Sequence, residues 1–319
     1  PLAAVADVAP TMFRNLPTLW ADRFPWPGAL DDKYARGHVV IDAGPDMSGA
    51  ARLATTAARR AGAGVATVAC SADQTLLFQL DQPGALIEAV ESVRAFETLL
   101  KTRRRNALII GSGGGVSVRT GERTIAGLKS GLACVVDADA LTVFEQDPDV
   151  LFRAFQNAPQ TPSITPHEGE FARLFPDLAQ AADSGADKAS RARAAAARCG
   201  AVVVLKGADA VIAHPDGGVV FAGGAPPWLA TAGSGDVLAG LIGGLRAQGL
   251  DAMDAACVGC WLHGAAARRC GLGLIAEDLP AAAAAALADL RRGDWSADDP
   301  FAPKAQPTAP TGDGDAQSA

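Results

Sequence analysis

The stretch Ala230–Leu241 contains the residue types best suited to chemistry in this chain. Gly233 and Gly235 flank Ser234, and Asp236 follows at the start of an apolar run with helical spacing. Glycine allows a positive φ and close approach to the backbone. The first turn of a helix carries unpaired N–H groups at its positive dipole end. The pattern therefore predicts an anion site of the kind that binds phosphate.

An acidic residue beside an anion site is electrostatically out of place, so Asp236 has two interpretations. In the first, its carboxylate only caps the helix. In the second, it is a general base beside the phosphoryl group, close enough to deprotonate the hydroxyl that attacks it. The rest of the sequence has to decide between the two.

Other stretches bring polar side chains or flexible backbone to the ends of strand-like apolar runs. They are the glycine loop Gly111–Gly115, the carboxylates Asp137 and Asp139, the corner Thr165–Glu170 with His167, and the segment Lys206–Ala210. Open α/β sheets bind ligands at the carboxyl ends of their strands, so these are candidate ligand segments. Each also has a structural interpretation: a mobile turn, a helix cap, or a hairpin with a solvated lysine.

The strand-like runs alternate with helical stretches, and this alternation predicts the fold. The predicted buried strands are Val39–Ile41, Val65–Ala69, Ala107–Ile110, Cys134–Val136, Val202–Leu205, Val211–Ala213 and Val219–Phe221. Repeated strand–helix units indicate an α/β domain whose sheet is mostly parallel, with helices on both faces. The segment Asp183–Arg198, rich in alanine and arginine, is predicted to be an amphipathic helix that presents a solvated face.

Composition narrows the class of protein. The chain has 319 residues, 49% of them hydrophobic, and a formal charge of −7, which argues against nucleic acid or an anionic membrane as a partner. No run reaches the ~18 apolar residues of a membrane helix, and the six cysteines lie in apolar or helical stretches. Cys257-x-x-Cys260 has the spacing of metal ligands, but no second pair of ligands accompanies it. We therefore interpret these two cysteines as packing residues rather than a metal site. We predict a cytoplasmic protein.

Proline and glycine divide the chain into three parts. Residues 1–37 are rich in proline and are predicted to be a linker or arm, residues 38–292 to be the folded domain, and residues 293–319 to be a disordered tail. Because the first residue is Pro1 rather than Met, we expect the sequence to be the C-terminal part of a longer chain.

The motifs carry a specific resemblance. Gly233–Gly240 resembles the Gly-Thr/Ser-Gly-Asp signature of ribokinase-like enzymes, in the form found in ADP-dependent NAD(P)H-hydrate dehydratases. Four further stretches agree with that family in the same order: Lys33–His38 with Met47–Ala50, Gly111–Gly115, Thr165–Glu170, and Val204–Gly207. The resemblance covers roughly residues 33–290 and implies a three-layer α/β/α fold with a mostly parallel central sheet.

The resemblance implies a hydro-lyase that repairs nicotinamide cofactors. Hydrated NADH or NADPH would be phosphorylated on its hydroxyl by ADP or ATP, and loss of phosphate would restore the ring double bond. Asp236 would be the base, beside an anion hole formed by the amides of Ala232, Gly233, Ser234 and Gly235. The hydrate would contact Ala50, Gly113, His167 and Asp236, and the nucleotide would contact Lys206, Gly207, Ala208, Asp209, Ala210 and Gly235.

Further expectations follow from the same family. Mg²⁺ would bridge the phosphates, with no protein ligand assigned to it, and the protein would be a homo-oligomer, a tetramer in related enzymes. The family often follows an epimerase domain in one chain, and we predict no epimerase activity for this sequence. Three positions depart from the family pattern: Ser112 for proline, Ala210 for threonine, and Ala266 or Ala267 for aspartate.

Two other functions are compatible with parts of the sequence. A ribokinase-like kinase of a vitamin-precursor alcohol would share the Asp236 loop without needing Thr165–Glu170. An inactive nucleotide-binding protein would accommodate the small departures from the family pattern.

Overall fold

One sheet of ten strands organises the part of the chain that the computed structural model describes, residues 12–45 and 47–295. The strands are Phe13–Arg14 (β1), His38–Asp42 (β2), Val65–Cys70 (β3), Leu86–Ala89 (β4), Ala107–Ile110 (β5), Ala133–Val136 (β6), Ser163–Ile164 (β7), Val202–Leu205 (β8), Val211–Ala213 (β9) and Val219–Phe221 (β10).

The strand order is β1-β10-β9-β8-β7-β6-β5-β2-β3-β4. All pairs from β4 across to β8 are parallel, and β1 runs parallel to β10. Only β9 runs against its neighbours, in a hairpin with β8 and beside β10. The prediction of a mostly parallel sheet is confirmed. The turn after β8 does form a hairpin, but its lysine is not solvated, because the Lys206 side chain is 20% exposed and pairs with Asp137.

Helices cover both faces of the sheet. They are Ser48–Arg60 (α1), Thr75–Asp81 (α2), Val93–Leu100 (α3), Val118–Lys129 (α4), Asp139–Thr142 (α5), Pro148–Gln156 (α6), Glu168–Leu174 (α7), Pro176–Gln180 (α8), Lys188–Cys199 (α9), Ser234–Ala247 (α10), Ala252–Cys270 (α11) and Leu279–Arg292 (α12). One core packs α1, α10, α11 and α12 against the sheet. A second core on the opposite face contains side chains of α3, α4, α6, α7 and α9.

The register of the central strands brings the predicted ligand segments together. Ile110 pairs with Val136, Val136 with Ile164, and Ile164 with Val203. The strands therefore end side by side, and the loops after β5, β6, β7 and β8 leave the sheet at the same carboxyl edge. These central strands are buried on both faces, which explains their nearly continuous apolar sequences.

Several elements differ from the sequence-based expectation. Strands β1 and β4 and helices α2, α4, α6 and α8 had no counterpart in the predicted elements. Helix α9 begins at Lys188 rather than Asp183. It is amphipathic as predicted: Ser190, Ala194 and Arg198 are exposed, whereas Ala192 and Ala195 on its other face are buried.

The ends of the chain are described only in part. Residues 12–37 add strand β1 and the fully buried Trp20, which meets Trp261 of α11 edge-to-face at 5.7 Å. Residues 1–11 and 296–319 lie outside the described residues, so most of the predicted tail does as well. Among the described helices, none combines the length and hydropathy that crossing a bilayer requires.

Candidate active site

Helix α10 begins as the glycine pattern predicts. Gly233 has φ of +86°, a left-handed conformation that favours glycine, and Ser234 starts the helix. No side chain caps this end, and Asp236 lies in the first turn rather than at the cap position. The helix-cap interpretation of Asp236 is therefore wrong. The Ser234 N–H donates to Thr231 O at 3.3 Å, whereas the N–H groups of Gly235 and Asp236 have no partner among the described residues and stay available to an anion.

Asp236 is half-buried at this helix start, and its surroundings raise the pKa of its carboxyl group. Burial raises its pKa, and the carboxylates of Asp137 and Asp139 add to the rise. The neighbouring Ser112 hydroxyl and the Lys206 ammonium act in the opposite direction without cancelling it. A carboxylate with a raised pKa is a stronger base than a solvated aspartate, which suits it to accept a proton from an alcohol.

The raised pKa predicts the pH dependence of turnover. A base is active only when unprotonated, so kcat/KM should fall as the pH drops through the pKa of Asp236. Because that pKa is raised, the midpoint of the acidic limb should lie above the ordinary aspartate value of 3.8. Asp139→Asn removes a charge that raises this pKa, so the midpoint should move to lower pH. A pH–rate profile of both proteins checks this, and a shift to higher pH would contradict it.

Lys206 stands at the end of β8, beside the start of α10. Its Nζ donates to Asp137 Oδ1 at 3.0 Å and lies 3.8 Å from Glu170 Oε2. Burial alone would lower its pKa, but Asp137 and Glu170 outweigh burial and the pKa is raised. A Cβ added to Gly235 would lie 3.5 Å from this Nζ. A fixed cation and the first turn of α10 thus face the same small volume.

The glycine loop after β5 forms the next wall. Gly44 and Gly113 are in such close contact that a Cβ on Gly44 would overlap the Gly113 carbonyl. Asp139 accepts a hydrogen bond from the backbone N–H of Gly115 at 2.9 Å. Ala50, in the first turn of α1, is buried and donates its N–H to Met47 O at 3.1 Å, and a Cβ on Gly113 would lie 2.7 Å from the same Met47 oxygen. The loops after β2 and β5 therefore act as one unit.

His167 occupies the corner between β7 and α7. Its Nδ1 accepts hydrogen bonds from the N–H groups of Gly169 and Glu170, and Glu170 in turn accepts from the His167 N–H at 2.8 Å. Because Nδ1 is an acceptor, Nε2 carries the proton of the neutral ring. The side chain is 55% exposed. Nε2 lies 3.4 Å from Glu170 Oε1. His167 is therefore a helix cap whose ring faces the Glu170 carboxylate while more than half of the side chain stays exposed, and the structural and functional interpretations are compatible.

A cavity of about 270 Å³ lies between the end of β8 and the start of α10. Of the residues predicted to contact the nucleotide, it is lined by Lys206, Gly207, Ala208, Ala210 and Gly235. Asp209 is not among its lining residues. The residues predicted to contact the hydrate also lie outside this cavity: Gly113 on the glycine loop, His167 at the corner before α7, Ala50 on α1 and Asp236 in the first turn of α10.

Helix α11 contributes to the same cavity, which sequence reasoning missed. Cys260 and His263 both line it. His263 is buried, its Nε2 has no hydrogen-bond partner among the described residues, and burial lowers its pKa to about 4. The sequence carried a weak signal in the pair His263-Gly264, but only the packing of α11 against α10 brings the ring to the site. Cys257 is buried in the core, as the packing interpretation predicts.

The described residues contain no group of three or more His, Cys, Asp or Glu side chains arranged to hold a metal ion. The nearby carboxylates are instead engaged by protein groups, Asp137 by Lys206 and Asp139 by Gly115.

Comparison with known proteins identifies the family. The sequence model of the carbohydrate-kinase-like family described as NAD(P)H-hydrate dehydratase matches residues 39–287, which is most of the chain. The chain belongs to the NAD(P)H-hydrate dehydratase family. The ADP-dependent (S)-NAD(P)H-hydrate dehydratase of Xanthomonas campestris is 36% identical over 291 residues, covering 86% of this chain and 96% of that protein. The corresponding dehydratase of Neisseria meningitidis is 37% identical over 72% of this chain and 75% of its own length.

Other relatives of this dehydratase family are longer. The bifunctional NAD(P)H-hydrate repair enzyme of Mycobacterium tuberculosis is 38% identical over 74% of this chain but only 46% of its own length. The chain thus spans about half the length of such bifunctional relatives.

Solved structures agree with the family fold. The ADP/ATP-dependent NAD(P)H-hydrate dehydratase of Bacillus subtilis, co-crystallised with ATP and Mg²⁺, superposes with a TM-score of 0.70 at 26% identity, covering 83% of this chain and 93% of that one. A ribokinase-like protein of Enterococcus faecalis shares the fold with a TM-score of 0.73 at 22% identity, covering 88% of this chain and 97% of its own. The family and the ribokinase-like three-layer fold predicted from the motifs are both confirmed.

Proposed function

We propose that this chain catalyses the ADP-dependent dehydration of (S)-NADHX and (S)-NADPHX, the hydrated forms of NADH and NADPH. The observation that carries the proposal is the convergence of Asp236 and Lys206 on the uncapped start of α10. Family membership and the names of the relatives support the same activity.

The reaction has two stages at this site. Asp236 takes the proton from the hydrate hydroxyl, whose oxygen attacks the terminal phosphorus of ADP, and AMP leaves. The N–H groups at residues 232–235 would stabilise the charge that develops on the phosphoryl group, with Lys206 beside them. Loss of phosphate and a ring proton then restores the double bond. The cavity next to Lys206 is the proposed nucleotide site, and the glycine loop with His167 is the proposed hydrate site.

Mg²⁺ fits this scheme as an ion carried by the nucleotide. Magnesium usually keeps several waters and binds substrate phosphates with one or two carboxylates, rather than an all-protein cage. Asp137 and Asp139, at the end of β6, are the carboxylates close enough to Asp236 to take that part, although both already have protein partners. When bound, the ion would neutralise phosphate charge.

The assay mixes the purified chain with NADHX and ADP and follows the near-ultraviolet absorbance of reduced nicotinamide. Recovery of NADH that requires ADP supports the proposal, and its absence would refute it. Accumulation of a stable phosphorylated product from another alcohol, with no NADH recovery, would indicate a kinase instead.

His167→Ala should raise the KM for the hydrate more than the KM for ADP, because the half-exposed His167 ring lies in the proposed hydrate site and outside the nucleotide cavity. The variant also loses a helix cap, which costs about 1 kcal/mol of stability. His167→Asn is the matched control, since asparagine caps helices well but lacks the imidazole. If His167→Asn restores the hydrate KM, the effect came from the cap and the proposed contact is wrong.

Two further expectations of the resemblance stay proposals. We propose a homotetramer, which sedimentation analysis would test. We also propose a cytoplasmic location, supported by six cysteines that are all free, as is usual in a reducing compartment.

A further inference from the structure

A second lysine lies behind the proposed nucleotide site. Lys188 is the first residue of α9, and its side chain is only 9% exposed. Its Nζ donates to Lys206 O at 2.9 Å and to Asp209 Oδ1 at 2.7 Å, and it lies 3.3 Å from Glu168 Oε1. An ammonium group has three N–H donors, and three acceptors surround this one. Lys188 therefore has no donor left for a nucleotide, in contrast to Lys206.

These three acceptors belong to two different segments of the site. Lys206 and Asp209 are part of the donor loop, residues 206–210, which lines the nucleotide cavity. Glu168 follows His167 in the hydrate corner, residues 165–170. Arg191, one turn further along α9, holds the same Glu168 carboxylate through two bonds of 3.0 and 3.2 Å.

The backbone of the donor loop is shaped around the ammonium. Gly207 has φ of +147°, and a Cβ there would lie 2.6 Å from Lys188 Nζ and 3.0 Å from Asp209 Oδ1. Only glycine allows the loop to approach the ammonium this closely. The hydrate corner is also bonded to the donor loop, because the Lys206 N–H donates to Pro166 O at 2.9 Å.

We propose that Lys188 is a positioning residue that fixes the donor loop and the hydrate corner in one geometry, so that the transferred phosphoryl group and the accepting hydroxyl are aligned. The proposal deepens the proposed function and rests on it. Asp209, whose side chain is held by Lys188, acts in this scheme through loop shape rather than by direct contact with the nucleotide.

The test compares Lys188→Met with Asp209→Asn. Lys188→Met removes the ammonium that contacts both segments and leaves the Lys206 N–H bond to Pro166 O between them. It should weaken ADP binding and raise the hydrate KM, each by roughly tenfold, the size expected for losing charged hydrogen bonds. Asp209→Asn changes only the donor loop. It should weaken ADP binding and leave the hydrate KM unchanged. Lys188→Arg should recover most of both losses, and Lys101→Met, at an exposed helix end, is the matched control.

The readouts separate this proposal from the proposed function. ADP affinity by calorimetry and NADPH affinity by fluorescence need no turnover, so they test Lys188 even if the dehydratase assay fails. Lys188→Met should fold, because Asp209 is largely solvated and Glu168 keeps Arg191, and a thermal melt verifies this. Unchanged ADP affinity in Lys188→Met, or loss of ADP affinity with the hydrate KM and NADPH affinity unchanged, would overturn the linking role.

Discussion

Asp236→Asn should lower turnover by about 10²–10⁴-fold, the usual contribution of a positioned general base, while ADP binds as tightly as before or more tightly. Asparagine has nearly the same shape but cannot accept the proton. It also removes a negative charge from a helix start that attracts phosphate. Because Asp236 is flanked by Asp137 and Asp139, losing its charge should not destabilise the fold. Single-turnover kinetics and calorimetry with ADP measure the two effects separately.

Asp149→Asn is the matched control for this experiment. Asp149 also lies in the first turn of a helix, α6, but it is exposed and on the opposite face of the sheet. Its substitution should leave turnover and ADP affinity unchanged. If Asp236→Asn keeps normal turnover, the base has been misassigned, and loss of ADP affinity together with turnover would point to a binding role instead.

Lys206→Met should abolish measurable ADP binding and destabilise the fold. Methionine fills the space of the lysine stem but leaves Asp137, whose side chain is 3% exposed, without its cation. Removing one partner of a buried ion pair typically costs about 3–5 kcal/mol, since the remaining charge is left uncompensated. The free energy of unfolding from denaturant titration and calorimetry with ADP measure the two losses.

The double variant Lys206→Met with Asp137→Asn separates the two roles of the lysine. The second substitution removes the uncompensated negative charge at position 137, so stability should recover in part. ADP binding should stay absent, because the cation is still missing. Normal ADP affinity in Lys206→Met would contradict the role given to this side chain.

The central sheet was predictable from sequence because its strands are buried on both faces. Such strands have continuous apolar runs, and β5, β8, β9 and β10 begin and end where the apolar runs do. The missed elements lack that signal. Strand β4 lies at the edge with Leu86 and Ala89 exposed. Helix α4 buries the polar residues Thr120, Arg123 and Thr124, so its buried face has no apolar signal in the sequence. In both, tertiary packing rather than local pattern decides the structure.

In the candidate site, too, some residues were predictable from the sequence and others were not. Asp236, Lys206 and His167 were predictable because each follows a strand or a glycine motif at the carboxyl edge of a parallel sheet. Their partners were not. These contacts join segments that are far apart in sequence. Lys206 pairs with Asp137, Lys188 donates to the donor loop, and His263 lines the cavity from α11. Only the folded chain brings such groups together.

The outer edge of strand β10 shows what the segment before His38 does for the molecule. Phe13 and Arg14 pair with Val220 and Phe221, and the Asn15 N–H donates to Phe221 O at 2.8 Å. The covered strand, Val219–Phe221, is entirely apolar, and uncovered apolar edges recruit strands from other molecules. A shortened chain that starts at His38 should therefore aggregate when expressed, because the segment before His38 covers the edge of β10 and prevents β-pairing between molecules.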